Sequence, residues 1–163
     1  LTERLSVENT TVHDVVAMGR YPYTSFLGGL TPEDEAIISE SLNAVGFADL
    51  STLQSKFSAH SDGEKQRILI AKAIAQQTPI ILLDEPAAGM NPAETEELMH
   101  QIRRIRDTFH IAIMLIEHDM SLVMGICEGI CVLNYGRVIA KGSPEDIKSN
   151  PAVIEAYLGK QGG

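Results

Sequence analysis

The sequence predicts an α/β layer with parallel strands in its second half, preceded by an all-helical first half. Two short unbroken apolar runs, 80-IILL-83 and 111-IAIMLI-116, flank a stretch that opens on Asn91-Pro92 and has helical apolar spacing. Strand–helix–strand order of this kind calls for parallel strands. Residues 1–77, by contrast, read as helical throughout.

The elements follow in chain order. Thr11 can cap a short helix over 12–20, and a loop rich in Tyr, Pro and Gly follows at 21–29. Thr31, Pro32, Glu33 and Asp34 form a strong helix start: a cap, a proline at the first position, then acids in the first turn. That helix puts Ala36, Ile37, Leu42 and Val45 on its apolar side and stops at Gly46. The stretch 64–77 is apolar almost all round, which predicts deep burial. The run Ile80–Leu83, bounded by Pro79 and Asp84, predicts a buried parallel strand. After Asn91-Pro92, Leu98, Ile102 and Ile105 make the apolar stripe of the next helix, and Arg103, Arg104 and Arg106 sit near its C-terminal end. A short helix follows Met120. The stretch 130-ICVLNYGRVIAKG-142 reads as a hairpin turning at Asn134-Tyr135-Gly136. Ser143-Pro144 and Asn150-Pro151 each start a closing helix. The domain boundary is expected at 77/78.

Bulk numbers narrow the function classes. The chain has 163 residues, 44% apolar and 21% charged, and a net charge of −9. An acidic balance argues against a nucleic-acid partner, which asks for a basic face. The longest apolar runs are too short to span a bilayer, and no signal-peptide pattern opens the chain. It starts at Leu1, so we expect a segment upstream. Cys127 and Cys131 stand in C-x-x-x-C spacing, which is neither a disulfide framework nor a common zinc pattern.

Three places carry candidate chemistry. In 80-IILLDEP-86, Asp84 and Glu85 end a strand where α/β sheets hold ligands. Such an Asp can hold Mg²⁺ through water and such a Glu can activate a water. A plain acidic pair before a turn-forming proline fits the same letters. His118, in 117-EHD-119, follows the second strand and reads either as a functional imidazole at the sheet edge or as a loop residue. In 60-HSDGEKQR-67, Ser61 and Glu64 form a capping box, and the same Ser-x-Gly helix start can bind an anion. His13, His60, His100 and His110 show no partner pattern and read as surface or packing residues.

In this order and spacing, these motifs resemble the ATP-binding-cassette (ABC) ATPases, a P-loop NTPase family, over essentially the whole chain. The family's S-G-G-Q signature falls on Ser61, Asp62, Gly63 and Glu64, and its Walker B segment falls on 80-IILLDEP-86. Its D-loop falls on Ala88, Gly89, Met90 and Asn91, and its switch histidine on His118. The resemblance implies the C-terminal part of such an ATPase, with Asp84 holding the Mg²⁺ water shell, Glu85 as general base and His118 at the γ-phosphate. Ser61, Asp62, Gly63 and Glu64 would contact ATP bound by a second subunit in a head-to-tail dimer, with Asn91 also at the site. It further implies docking on membrane-spanning permease subunits, at the cytoplasmic face of the plasma membrane.

The sequence departs from the family pattern in one large respect. No G-x-x-x-x-G-K-[ST] occurs among the 163 residues. The lysine and most phosphate contacts of a P-loop would therefore come from upstream, and a non-catalytic module that does not bind ATP by itself is the alternative reading. Glu3 falls nearest the family's Q-loop position. Residues 1–76 resemble ATPases of iron–siderophore, haem and cobalamin importers, and residues 79–160 those of branched-chain amino-acid importers. A mosaic or chimera explains that switch. DNA-repair ATPases share the signature but need coiled-coil insertions, and no heptad runs are present. Strands without their neighbours would leave an uncovered sheet edge and apolar face.

Overall fold

The structure is a computed structural model that describes residues 9–24, 29–47 and 49–158. Glu3 and part of the 21–29 loop lie outside the described residues. The chain divides into two compact units, one ending at Ile116 and one beginning at Glu117. The boundary expected at 77/78 falls inside the first, between a helix and the strand that follows it.

The first unit begins with α1 (Val12–Ala17), capped by Thr11 in a reciprocal box with Asp14. The helix expected over 12–20 tightens into a 3₁₀ segment, Met18–Tyr23, that contains Pro22. Helix α2 (Pro32–Ala44) starts at Thr31 with its capping box to Asp34. It ends in a Schellman arrangement. Gly46, at φ 90, donates its N–H to Asn43, and Phe47 donates to Leu42. Only a residue at ease with positive φ fits there, hence glycine. A short α3 (Leu50–Leu53) leads to α4 (Asp62–Ala75).

Helices α1, α2 and α4 pack on one another. Val12, Val16, Ile38, Leu42, Ile68 and Ala71 fill the space between them. The all-round burial expected of α4 is not observed: Leu69 is 43% exposed, while Ile68, Ile70, Ala71, Ile74 and Ala75 face inward. Gly19 lets the 3₁₀ segment approach α4 closely, since a Cβ there would collide with the Lys72 carbonyl oxygen.

A buried ion pair joins these pieces. Arg20 Nε donates to Asp34 Oδ1 at 2.8 Å, and its Nη1 donates to the Ala75 carbonyl and to Gln77 Oε1, both at 2.9 Å. The guanidinium stacks 4.1 Å from the Tyr23 ring centroid, and the Tyr23 hydroxyl donates to the Gln76 carbonyl. One arginine thus satisfies the Ala75 carbonyl at the end of α4 while pairing with the first turn of α2. Asp34 is held down to about 2, first by the Thr31 N–H, then by the Thr31 hydroxyl and by Arg20.

Strand β1 (Ile80–Asp84) pairs in parallel with β2 (Ala112–Ile116), from Ile80 opposite Ala112 to Asp84 opposite Ile116. Between them runs α5 (Pro92–Phe109), whose Leu98, Ile102 and Ile105 are buried and which packs on β2. Arg104 Nη2 donates to the Ala44 carbonyl at 3.0 Å, so α5 also satisfies the C-terminal end of α2. Full burial of the strand is not observed. Ile81 and Leu83 are buried, but Ile80 is 60% and Leu82 57% exposed, as are Met114 and Ile116 on β2. The physical reason is that one face meets helices and no described residue covers the other.

The second unit contains α6 (Met120–Ile126), β3 (Ile130–Asn134), β4 (Arg137–Gly142), α7 (Pro144–Lys148) and α8 (Pro151–Val153). Strands β3 and β4 form the expected hairpin, with a register shift between Val132 and Leu133. Tyr135 and Gly136 both have positive φ, the signature of a two-residue type I′ turn. Val132, Ala140, Ile147 and Val153 form its core, with Met120 and Met124 packed against it. No helix among the described residues is long and apolar enough to cross a membrane.

Candidate nucleotide site

Parallel pairing delivers Asp84 to the C-terminal end of β1, where its side chain is exposed. Glu85 follows in the left-handed region at φ 45, and its N–H donates to the Ile116 carbonyl at 2.9 Å. That bond extends the ladder one step beyond the strand and fixes where the second carboxylate leaves the sheet. Pro86 is fully buried behind it and begins the turn that runs through Gly89, at φ 78. Asn91 then caps α5: its Oδ1 accepts from Ala93 and Glu94 N–H groups, and Glu94 answers by accepting from the Asn91 N–H.

The start of α4 lies against this turn. A Cβ on Gly63 would come to 4.0 Å from the Met90 Cε. Ser61, Gly63, Glu64, Arg67, Met90 and Glu94 are among the residues lining a shallow cleft of about 80 Å³. The structure therefore places the start of α4 beside the segment before α5. Ser61 caps α4 in the reciprocal box foreseen with Glu64. Glu64 Oε2 accepts from both the Ser61 N–H at 2.9 Å and the Ser61 hydroxyl at 3.0 Å. Those bonds, the N–H first, hold the Glu64 carboxyl below its ordinary range. Asp62 pairs with Lys65 at 3.1 Å, one turn on.

His118 belongs to the second unit. Its side chain is 75% exposed, with Nδ1 at 3.8 Å from Glu117 Oε2. Glu117 also accepts from the backbone N–H groups of His118 and Asp119, and Asp119 caps α6.

Among the described residues, no group of three or more His, Cys, Asp or Glu side chains is placed to hold a metal ion. A single exposed carboxylate at a strand end suits Mg²⁺, which keeps most of its waters and takes one or two carboxylates plus substrate phosphates. Asp84 fits that role.

Two histidines depart from the sequence reading, which gave them no partners. His13 Nε2 lies 2.8 Å from Glu35 Oε2 and links α1 to α2. His60 Nε2 lies 2.7 Å from Ser55 Oγ, and its Nδ1 lies 3.5 Å from Glu64 Oε2. The i, i+4 spacing of His60 and Glu64 was the available signal. Arg67, which lines the cleft and reaches Glu97 at 3.8 Å, was also missed.

Asp84 and Glu85 stand at the C-terminal end of β1, the capped serine–glycine helix start lies against the turn before α5, and comparison with known proteins gives the family. The ABC transporter family model matches residues 1–88, and a branched-chain amino acid ATP-binding cassette transporter model matches residues 137–162. The chain belongs to the ABC transporter family. It is 40% identical to an uncharacterized ABC transporter ATP-binding protein of Methanocaldococcus jannaschii, over 96% of this chain and 53% of that protein. It is 41% identical to the high-affinity branched-chain amino acid transport ATP-binding protein BraF of Pseudomonas aeruginosa, over 96% of this chain and 65% of that one. The petrobactin import ATP-binding protein FatE of Bacillus anthracis is 31% identical over 93% of this chain and 59% of its own length. Relatives of both importer groups named from the sequence therefore match. The chain spans roughly half to two-thirds of the length of these relatives. The backbone of a metal-chelate type ABC transporter in an inward-facing conformation superimposes with a TM-score of 0.84, at 22% identity, over 97% of this chain and 60% of that one. The fold is that of an ABC ATPase.

Proposed function

We propose that this chain is part of the ATP-hydrolysing subunit of an ABC importer. The observation that carries the reading is the Asp84–Glu85 pair at the end of β1, in a chain of this family. Asp84 would hold Mg²⁺, which would supply charge neutralisation at the phosphates. Glu85 takes the proton of the attacking water. Its position one residue beyond the strand, fixed by the Ile116 carbonyl, supports that role, because a general base must be held within hydrogen-bond reach of its proton. His118 contacts the γ-phosphate. Ser61 and Gly63, with Asp62, Glu64 and Asn91 around them, meet ATP bound chiefly by a second subunit in a head-to-tail dimer. Residues 1–77 act as the helical subdomain and 78–163 as the RecA-like one. The chain works on membrane-spanning permease subunits at the cytoplasmic face. Branched-chain amino acids are the favoured cargo, on the strength of the relatives at 40–41% identity.

The test is Glu85→Gln in the protein extended to the length of its relatives. Mg-ATP binding is expected to stay within about twofold while turnover falls by two or more orders of magnitude, the scale of general-base loss. Turnover at the wild-type rate in that variant removes Glu85 from the role.

A further inference from the structure

His60 stands immediately before Ser61, with a side chain only 12% exposed. Its protonation pattern can be read from its neighbours. The Ser55 hydroxyl lies 2.6 Å from the Thr52 carbonyl oxygen, which has no proton of its own. The Ser55 proton must therefore point at Thr52. Only lone pairs of Ser55 Oγ remain for His60 Nε2, 2.7 Å away, so Nε2 carries the ring proton. A neutral imidazole has one N–H, and Nδ1 is then bare. That bare nitrogen faces Glu64 Oε2 at 3.5 Å. In the neutral ring a lone pair opposes a carboxylate. In the protonated ring the same contact is an ion pair.

The oxygen concerned is also the one that accepts the Ser61 N–H and the Ser61 hydroxyl. Phe47 packs edge-on against the His60 ring, with centroids 5.9 Å apart, and keeps it in this orientation. Among the described residues, Glu64 is the charged group against the ring, and Arg67 lies beyond Phe47, with its guanidinium 5.2 Å from the Phe47 centroid. Asp62, two residues on, is paired with Lys65, and Lys56 reaches Asn9. As it stands, the Ser61 hydroxyl proton is directed at Glu64, and an anion seeking that proton meets a carboxylate first.

We propose that His60 is a proton-dependent positioning residue for the Ser61 turn. A proton on Nδ1 draws Glu64 Oε2 toward the ring, offsets its charge and frees the Ser61 hydroxyl for a phosphate oxygen. The inference rests on the reading of Ser61 and Gly63 as phosphate contacts, and it deepens that reading into a regulation of the same site. Engagement of a phosphate is favoured in the protonated form of the ring.

The experiment is nitrogen-15 and carbon-13 NMR on this chain between about pH 5 and pH 8. In the neutral form the ring shifts of His60 are expected to report the Nε2–H tautomer. The Ser61 amide and the Glu64 carboxyl carbon are expected to follow the His60 ring with a common midpoint. Glu64→Gln is expected to lose the His60-linked step at Ser61, as is His60→Leu. The first two measurements use the unaltered protein, so a variant that fails to fold does not remove the test. An Nδ1–H tautomer, or a Ser61 amide that ignores the His60 transition, overturns the proposal. Inorganic sulfate, a dianion throughout this range, is then titrated at both ends of it. A larger Ser61 shift at the acid end supports the gating, and equal shifts overturn it. No sulfate response at either end counts against Ser61 as an anion contact and against the gating with it. The His60–Glu64–Ser61 coupling is judged separately, by the titration without sulfate.

Discussion

Replacing Gly19 by alanine tests the packing that holds the signature helix. Gly19 is buried in the 3₁₀ segment, and an added methyl would overlap the Lys72 carbonyl oxygen and sit 3.1 Å from Ala75 Cβ. Carbon atoms in proteins settle at about 3.5–4.0 Å. The Lys72 carbonyl belongs to the backbone of α4 and cannot rotate away. The segment must therefore retreat from α4, loosening the contacts of Ala71 and Ala75 and straining the Arg20 bond to the Ala75 carbonyl. Overpacking of this kind costs about 1–3 kcal/mol. Against it stands a gain of roughly 0.4–1 kcal/mol from the stiffer unfolded chain. Central values leave a net loss of about 1.3 kcal/mol, within a span of roughly 0–2.6 kcal/mol. With a urea dependence of ~2 kcal/mol per molar, the central loss lowers the unfolding midpoint by roughly 0.65 M. Gly29→Ala is the matched control: a methyl added at Gly29 meets nothing within 4 Å, so only the unfolded-state gain operates there and the midpoint rises slightly. The two variants move in opposite directions. A Gly19→Ala midpoint at or above the wild-type value refutes the close approach.

Three further outcomes are expected. Asp34 has its carboxyl lowered from 3.8 to about 2, so its contribution to stability is complete above about pH 4 and is lost as pH falls from there through 2; acid unfolding followed by circular dichroism is expected to lose this step in Asp34→Asn, and an unchanged acid limb contradicts it. Ile68→Ala empties a fully buried position of α4 and is expected to cost about 2–5 kcal/mol in urea unfolding, whereas a loss below about 1 kcal/mol would mean the site collapses freely. Ser61→Ala removes the α4 cap and is expected to cost about 0.5–2 kcal/mol, measurable in the same way, with no change taken as evidence that the cap is replaced by solvent.

Much of this fold was legible because its punctuation is local. Thr31-Pro32, Asn91-Pro92, Ser143-Pro144 and Asn150-Pro151 each start a helix where the letters say, and each is seen with its side-chain cap. Hairpin geometry was equally local, since Tyr135-Gly136 supplies the two positive φ angles itself. The unreadable part depends on what lies across space. Nothing in the spelling of Asp34, a routine first-turn acid, reveals that Arg20 pairs with it. Nor does an apolar run such as 80-IILL-83 reveal that only one of its faces is covered. At the candidate site, the Ser61–Glu64 box was visible in the motif. The bond between Ser55 and His60 was not, because Ser55 lies in a segment with no periodic signal.

Glu85 has a consequence of its own. A side-chain-bearing residue in the left-handed region is strained by about 1–2 kcal/mol relative to one that is at ease there. Glycine at position 85 would relax the backbone and make the turn into Pro86 easier to form. A directed-evolution campaign that rewarded only thermal endurance would therefore drift toward losing this carboxylate. Its recovery among survivors would record a demand that folding does not make.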